Sequence, residues 1–189
     1  PDLAPNLVPG WNVYDNNSNT TDVHGHGTWV AGVAAMAANN AKGSAGVAWG
    51  ARIMPIRIAD ANAYAYWSTV AQGIYWAADH GAKVVNVSYN GVSGSSTVQS
   101  AAQYLRGKGG VVVVAAGNSG ALESIAANSS LLTVAATDQN DARASFSSYG
   151  PYVDLSAPGV SVYTTTVGGG YSNASGTSFA SPVVAATAA

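Results

Sequence analysis

The 189-residue chain contains no cysteine, two methionines and few charges: seven Lys or Arg and nine Asp or Glu, or 8% of its residues. The missing thiols exclude a disulfide framework and a thiolate metal site. A formal net charge of −2 gives no electrostatic basis for binding nucleic acid or an anionic membrane. No apolar run reaches the roughly 18 residues that a membrane-spanning helix needs. Charge at 8% is also far from the roughly 25% of average soluble proteins. Polarity is carried instead by Ser, Asn, Thr and Gly. With 48% hydrophobic residues, the chain has enough apolar content to bury a sizeable core as one domain.

Helical and strand-like patterns alternate along the chain. Helices are predicted at about 26–38, 68–80 and 96–107, and strands at 52–58, 84–88, 111–116 and 131–136. Ser68 is the expected cap of the second helix, and Gly81 its stop. Pro55 inside an apolar strand predicts an edge or bulge position. The run Val111–Val114 reads as a strand buried on both faces. Such alternation implies an α/β fold of three layers, with a mostly parallel central sheet covered by helices on both faces.

Three segments carry candidate chemistry. Gly176-Thr177-Ser178-Phe179-Ala180-Ser181-Pro182 places a serine hydroxyl on the first turn of a predicted helix, where unpaired N–H groups favour developing negative charge. His24-Gly25-His26-Gly27-Thr28-Trp29-Val30-Ala31-Gly32 offers His26 as the base that a serine nucleophile requires. Ala115-Ala116-Gly117-Asn118, at the carboxyl end of the valine strand, offers the Asn118 amide as an oxyanion donor. Neither a Gly-x-Ser-x-Gly elbow nor a Gly-x-Gly-x-x-Gly loop is present to support an unrelated α/β hydrolase or a nucleotide-binding domain. His24 and His26 have only His80 as a third histidine and no acidic cluster, a poor donor set for zinc. His80 suits the last turn of its helix, and Trp29, Trp67, Tyr75 and Trp76 read as packing residues.

In this order, the three segments resemble the subtilisin-like serine proteases (subtilases). Gly46-Val47-Ala48, Val85-Asn86-Val87-Ser88, Ala144-Ser145-Phe146-Ser147-Ser148 and Ala157-Pro158-Gly159 extend the likeness over essentially the whole chain. The resemblance implies acyl transfer by Ser178 and His26, with Asn118 in the oxyanion hole. It implies polypeptide substrates lying along Ser88-Tyr89-Asn90-Gly91 and Ala115-Ala116-Gly117, with broad specificity leaning to apolar or aromatic side chains. No cofactor is expected in catalysis. It further implies secretion, a pro-peptide in the precursor, a monomer, and a structural calcium held by Asp2, Asn40 and the carbonyls of Ala37, Lys42 and Ser44. Lys42 and the single carboxylate count against that ion.

One member of the family's constellation is not in the sequence. The triad aspartate belongs to an Asp-Ser/Thr-Gly turn upstream of a His-Pro-Asp-Leu-like segment, whose tail Pro1-Asp2-Leu3 resembles. The resemblance therefore predicts one incomplete peptidase domain over 1–189, with the aspartate-bearing strand before Pro1 and further chain after Ala189. Asp2, Asp15 and Asp22 are the acids near His26 in sequence, and none has that turn context. A degenerate, non-catalytic module on the same fold is the competing reading.

Overall fold

The computed structural model describes residues 2–189, so Pro1 lies outside the described residues. Four parallel strands form the main sheet: β3 (Val84–Val87), β4 (Val111–Ala115), β5 (Leu132–Thr137) and β6 (Leu155–Pro158), in that spatial order. The valine run behaves as a strand covered on both sides. Val112 and Val114 join one apolar cluster and Val113 another, because successive side chains of a strand point to opposite faces.

The first cluster is filled by helices α2 (Trp67–Asp79) and α3 (Ser96–Gly107) through Val70, Ile74, Val98, Ala101 and Leu105. On the other face lies α4 (Thr177–Ala188), which supplies Ala180 and Ala185. Alongside α4 runs α1 (His26–Ala35), joined through Val33, Phe179 and Trp29. Layers of helix, parallel sheet and helix are therefore present, as the alternation predicts. Each buried valine or leucine contributes about 1.5–3 kcal/mol relative to exposure, and this burial holds the three layers together.

Two further strand pairs flank this core. A hairpin of β7 (Val162–Thr165) and β8 (Tyr171–Ala174) crosses α1, where the Thr164 and Thr165 hydroxyls donate to the carbonyls of Trp29 and Thr28 at 2.6 and 2.8 Å. Gly32 permits that approach: a Cβ there would lie 2.3 Å from both threonine oxygens. The other pair is β1 (Trp11–Asn12) with β2 (Ile56–Arg57), parallel and separate from the main sheet. Between β2 and β3 runs a cleft of about 1000 Å³, lined by Ile56, Ile58, Val84 and Asn86 and reaching His26. Among the described residues, β2 pairs only with β1 and β3 only with β4, so an unpaired strand edge faces the cleft from each side.

Several boundaries differ from expectation. The strand expected over 52–58 is a ladder only at Ile56–Arg57, with an isolated bridge at Ile53. Pro55, lacking an N–H, interrupts it while its carbonyl accepts from the Trp11 N–H at 3.1 Å. Helix α1 stops at Ala35 rather than 38, because Met36 turns extended and its carbonyl accepts from Gly46. Ser68 does not cap α2: Tyr66 occupies the N-cap and makes no side-chain bond there. The stop at Gly81 holds. Gly81 has φ +87°, and bonds from Ala82 N–H to Ala77 O and from Gly81 N–H to Ala78 O close the helix. His80 stacks on Trp76 with ring centroids 3.6 Å apart.

Candidate active site

The carboxyl end of the main sheet meets the first turn of α4. Thr177, Ser178 and Ser181 all present hydroxyls there, and their partners separate them. Thr177 Oγ1 donates to Asn118 Oδ1 at 2.9 Å and receives the Gly117 N–H at 3.2 Å. Ser181 Oγ donates to Asn86 Oδ1. Ser178 makes only a long contact, 3.5 Å from its Oγ to the Ser88 carbonyl. The hydroxyl free for chemistry is therefore that of Ser178.

Proline explains how the helix is pinned. Pro182 lies inside α4 and has no N–H to give to the carbonyl four residues before it, that of Ser178. The Ser88 hydroxyl takes up this carbonyl at 2.9 Å, and Asn86 Nδ2 in turn donates to Ser88 Oγ at 2.9 Å. A buried carbonyl that must find a donor finds it on the end of β3. Ser88 is thus buried, and its hydroxyl is committed to positioning the serine helix.

Asn118 is oriented from its oxygen side. Its Oδ1 accepts from both the N–H and the hydroxyl of Thr177, each at 2.9 Å. Among the described residues Nδ2 has no protein acceptor, and Asn118 is exposed. An amide fixed by its oxygen with its N–H₂ outward suits an oxyanion better than a ground-state carbonyl.

His26 is the first residue of α1, and its ring lies edge-on to Tyr89 at 6.4 Å and tilted to Phe179, the neighbour of Ser178, at 6.0 Å. Burial lowers its pKa below 6.5, the charge of His24 adds to that, and Asp22 opposes it. The imidazole is therefore neutral, and able to accept a proton, at neutral pH. The structure brings His26 and Ser178 to the same rim without a hydrogen bond between them. Among the described residues no carboxylate bonds the His26 ring.

Asp22, the acid nearest His26 in sequence, has a different task. Its Oδ1 accepts from the N–H groups of His24 and Gly25 at 3.1 and 2.7 Å, and its Oδ2 from the N–H and hydroxyl of Thr28 at 2.7 and 2.6 Å. Burial alone would raise its pKa, but the bonds from Thr28, Gly25 and His24 outweigh it and lower it below 3.8. Asp22 closes the N-terminus of the helix that carries His26.

The expected substrate-facing residues divide. Tyr89 is half-buried, Asn90 and Gly91 are exposed, and no backbone hydrogen bond engages Tyr89 or Asn90 among the described residues. That strip is an open edge. Ala115 and Ala116 are 1% exposed, and the Ala116 N–H and carbonyl are taken by Val134 and Tyr152. Only Gly117 of that trio borders Asn118. Glu123, in a loop without a motif, lies near Gly117. Its Oε1 receives the Ser119 hydroxyl at 2.9 Å and lies 3.4 Å from where a Cβ on Gly117 would stand.

Asp2 and Asn40, expected to hold calcium, bond each other in this arrangement. Asp2 is 1% exposed, yet its Oδ1 accepts from Asn40 Nδ2 at 2.7 Å and its Oδ2 from the Tyr171 hydroxyl at 2.5 Å. Asn40 Oδ1 faces the Lys42 N–H at 3.1 Å. Two donors satisfy the carboxylate where a hard cation needs converging oxygens. Lys42 and Ser44 are exposed, and Ala37 is half-buried.

A nucleophile-ready serine on a helix N-terminus, a neutral imidazole and an outward carboxamide, at the carboxyl end of a parallel sheet, define a serine-hydrolase type of site. The chain belongs to the subtilase family: Peptidase_S8 (Subtilase family) matches residues 1–189. It is 47% identical to thermitase of Thermoactinomyces vulgaris over 190 residues, covering 100% of this chain and 68% of that protein. It is 44% identical to the thermophilic serine proteinase of Bacillus sp. (strain AK1), covering 100% of this chain but only 48% of that one. Among solved structures, sphericase superposes with a TM-score of 0.87 at 31% identity, covering 99% of this chain and 70% of that one. The chain thus spans from about half to about two thirds of the length of these relatives. No helix among the described residues is long and apolar enough to cross a membrane.

Proposed function

We propose that the protein is a serine endopeptidase working through an acyl-enzyme. The observation that carries this reading is the partition of hydroxyls at the start of α4: Thr177 and Ser181 are bound, and Ser178 is left beside an outward amide. Ser178 Oγ attacks the scissile carbonyl while His26 takes its proton. The Asn118 N–H₂ and the Ser178 N–H stabilise the oxyanion. His26 then protonates the leaving amine, and water repeats the sequence on the acyl-enzyme.

The carboxylate that orients such an imidazole is assigned to a strand occupying the cleft between β2 and β3. Two unpaired parallel edges and the mouth at His26 support that placement. Polypeptide substrates add along Tyr89–Gly91 as an extra strand. Broad specificity, with room for a large apolar or aromatic side chain before the scissile bond, goes with the small residues around Gly117. A monomer, secretion and a pro-peptide complete the reading, by analogy with the subtilases.

Treatment with a fluorophosphonate probe, followed by peptide mass spectrometry, tests the assignment. Modification is expected on Ser178 and lost in Ser178→Ala. Modification elsewhere, or persistence in that variant, overturns it. The absence of a His26–Ser178 hydrogen bond favours a second reading, a non-catalytic binding module, which predicts no modification at all.

A further inference from the structure

Asparagine is followed by glycine or serine at Asn17, Asn90, Asn118 and Asn128. In such pairs the next residue's amide nitrogen meets little steric hindrance in reaching the carboxamide carbon. Three of these side chains are held. Asn17 Oδ1 accepts from the Asn19 N–H at 2.8 Å, and its Nδ2 donates to the Asp15 carbonyl at 3.4 Å. Asn118 Oδ1 accepts twice from Thr177, and the amide that follows it, that of Ser119, donates to Ser148 Oγ at 3.1 Å. Asn128 Oδ1 accepts from the Ser130 and Leu131 N–H groups at 3.1 and 3.2 Å, and its Nδ2 donates to the Ser93 carbonyl at 3.4 Å.

Asn90 is the one followed by glycine, and it is not held. Among the described residues its carboxamide makes no hydrogen bond, the Gly91 N–H meets no protein acceptor, and both residues are exposed. Gly91 has φ +76° and opens the short 3₁₀ turn Val92–Gly94, a left-handed backbone that only glycine adopts without strain. The turn therefore demands the residue that leaves its own amide nitrogen unshielded. Exposure also lets hydroxide reach the Gly91 N–H and remove its proton, which makes the nitrogen a nucleophile.

We propose that Asn90-Gly91 is a deamidation site whose turnover ages the substrate strip while sparing the nucleophile. The deprotonated Gly91 nitrogen attacks Asn90 Cγ. The N–Cγ bond forms, the Cγ–Nδ2 bond breaks, and Nδ2 leaves as ammonia, taking a proton from water. Water then opens either carbonyl of the succinimide, giving aspartate or, for the larger part, isoaspartate, with no oxidant or reductant involved. Isoaspartate routes the main chain through an extra carbon, and both products carry a charge where a neutral amide stood. A peptide that adds along Tyr89–Gly91 depends on the regular spacing of that edge, so the extra carbon displaces its hydrogen bonds. Ser178 is untouched, because its helix is held by Ser88 and Asn86. The chemistry at Asn90 is independent of the acyl-enzyme reading; its effect on substrate rests on that reading.

Incubating the Ser178→Ala variant at mildly alkaline pH, where self-digestion is suppressed, tests the chemistry by peptide mass spectrometry and isoaspartyl methyl transfer, thermal unfolding reporting that the chain stays folded. The unmodified Asn90 peptide is expected to be lost while those of Asn17, Asn118 and Asn128 persist. Asn90→Gln, whose longer side chain closes a ring far more slowly, is expected to lose the methyl-accepting site. An Asn90 peptide that persists, or that is lost no sooner than the other three, overturns the proposal. The chain with Ser178 intact, aged under a reversible boronate and then freed of it, is next treated with a peptidyl phosphonate and a small fluorophosphonate. The peptidyl rate is expected to fall with the fraction of Asn90 modified, and the small-probe rate to hold. Equal loss of both rates, or loss of neither, overturns the effect on substrate. Failure of both probes on the fresh protein overturns the acyl-enzyme reading and leaves the Asn90 chemistry to the first experiment.

Discussion

The two helices that bring Ser178 and His26 together are held in different ways. Helix α4 is secured from several directions by side-chain hydrogen bonds: Ser88 on the Ser178 carbonyl, Asn86 on Ser181, Asn118 on Thr177. Helix α1 is secured at its first turn by Asp22 and along its length by the β7–β8 hairpin, but the imidazole meets only aromatic rings. The nucleophile and oxyanion side is thus complete within the chain's own hydrogen bonds. The base side is placed but not aimed. Packing fixes a ring's position more readily than its rotation; directional bonds are needed for the latter.

Three experiments break or sharpen that contrast. The largest effect belongs to the well-secured side. Asn118→Ala is expected to slow Ser178 acylation by about 10²–10³, the range established for removing such a donor in a subtilisin, and, because the buried Thr177 N–H and hydroxyl lose their acceptor, to cost about 1–3 kcal/mol of stability as well. Acylation with an activated ester, followed by mass spectrometry, measures it. Next, Ser88→Ala leaves the buried Ser178 carbonyl without its donor and should cost about 1–3 kcal/mol of stability in denaturant unfolding. A cost within error would mean that the Ser88 bond does not pin the helix.

The smallest effect belongs to the base side. Because burial, then the His24 charge, lowers the His26 pKa, the acid limb of the acylation rate should fall below pH 6.5. His24→Gln removes the repulsion and should move that limb upward by a fraction of a pH unit. The sign follows from the neutral ring being the active form. The same shift makes the unfolded chain bind a proton first, so stability declines as pH drops below 6.5. A downward shift of the limb in His24→Gln would reverse the assigned interaction.

Much of this was legible in the residues. Four consecutive valines specified a doubly covered strand, and Gly81 specified a helix stop, because both signals are local. Ser178, His26 and Asn118 could be named because each sits in a distinctive short motif. Positions that depend on neighbours distant in sequence were not legible. The bonds of Ala116 to β5 and to the Tyr152 hydroxyl, for instance, are not announced by its own segment. The ladder at Ile56–Arg57 is short because Pro55 sits opposite Trp11, a pairing no local pattern announces. Glu123, the chain's single glutamate, lies in a loop without a motif. Only the fold returns it to Gly117. The roles of Asp2 and Asn40 turned on a third partner, Tyr171, from the far end of the chain.

Pro182 shows how a locally hostile residue can serve the architecture. By withholding one amide from its own helix, it hands the Ser178 carbonyl to a strand some ninety positions earlier in the chain. The nucleophile's backbone is thereby answerable to the sheet as well as to the helix. A residue with its own N–H at position 182 would compete with the Ser88 hydroxyl for that carbonyl, so the two positions are physically coupled.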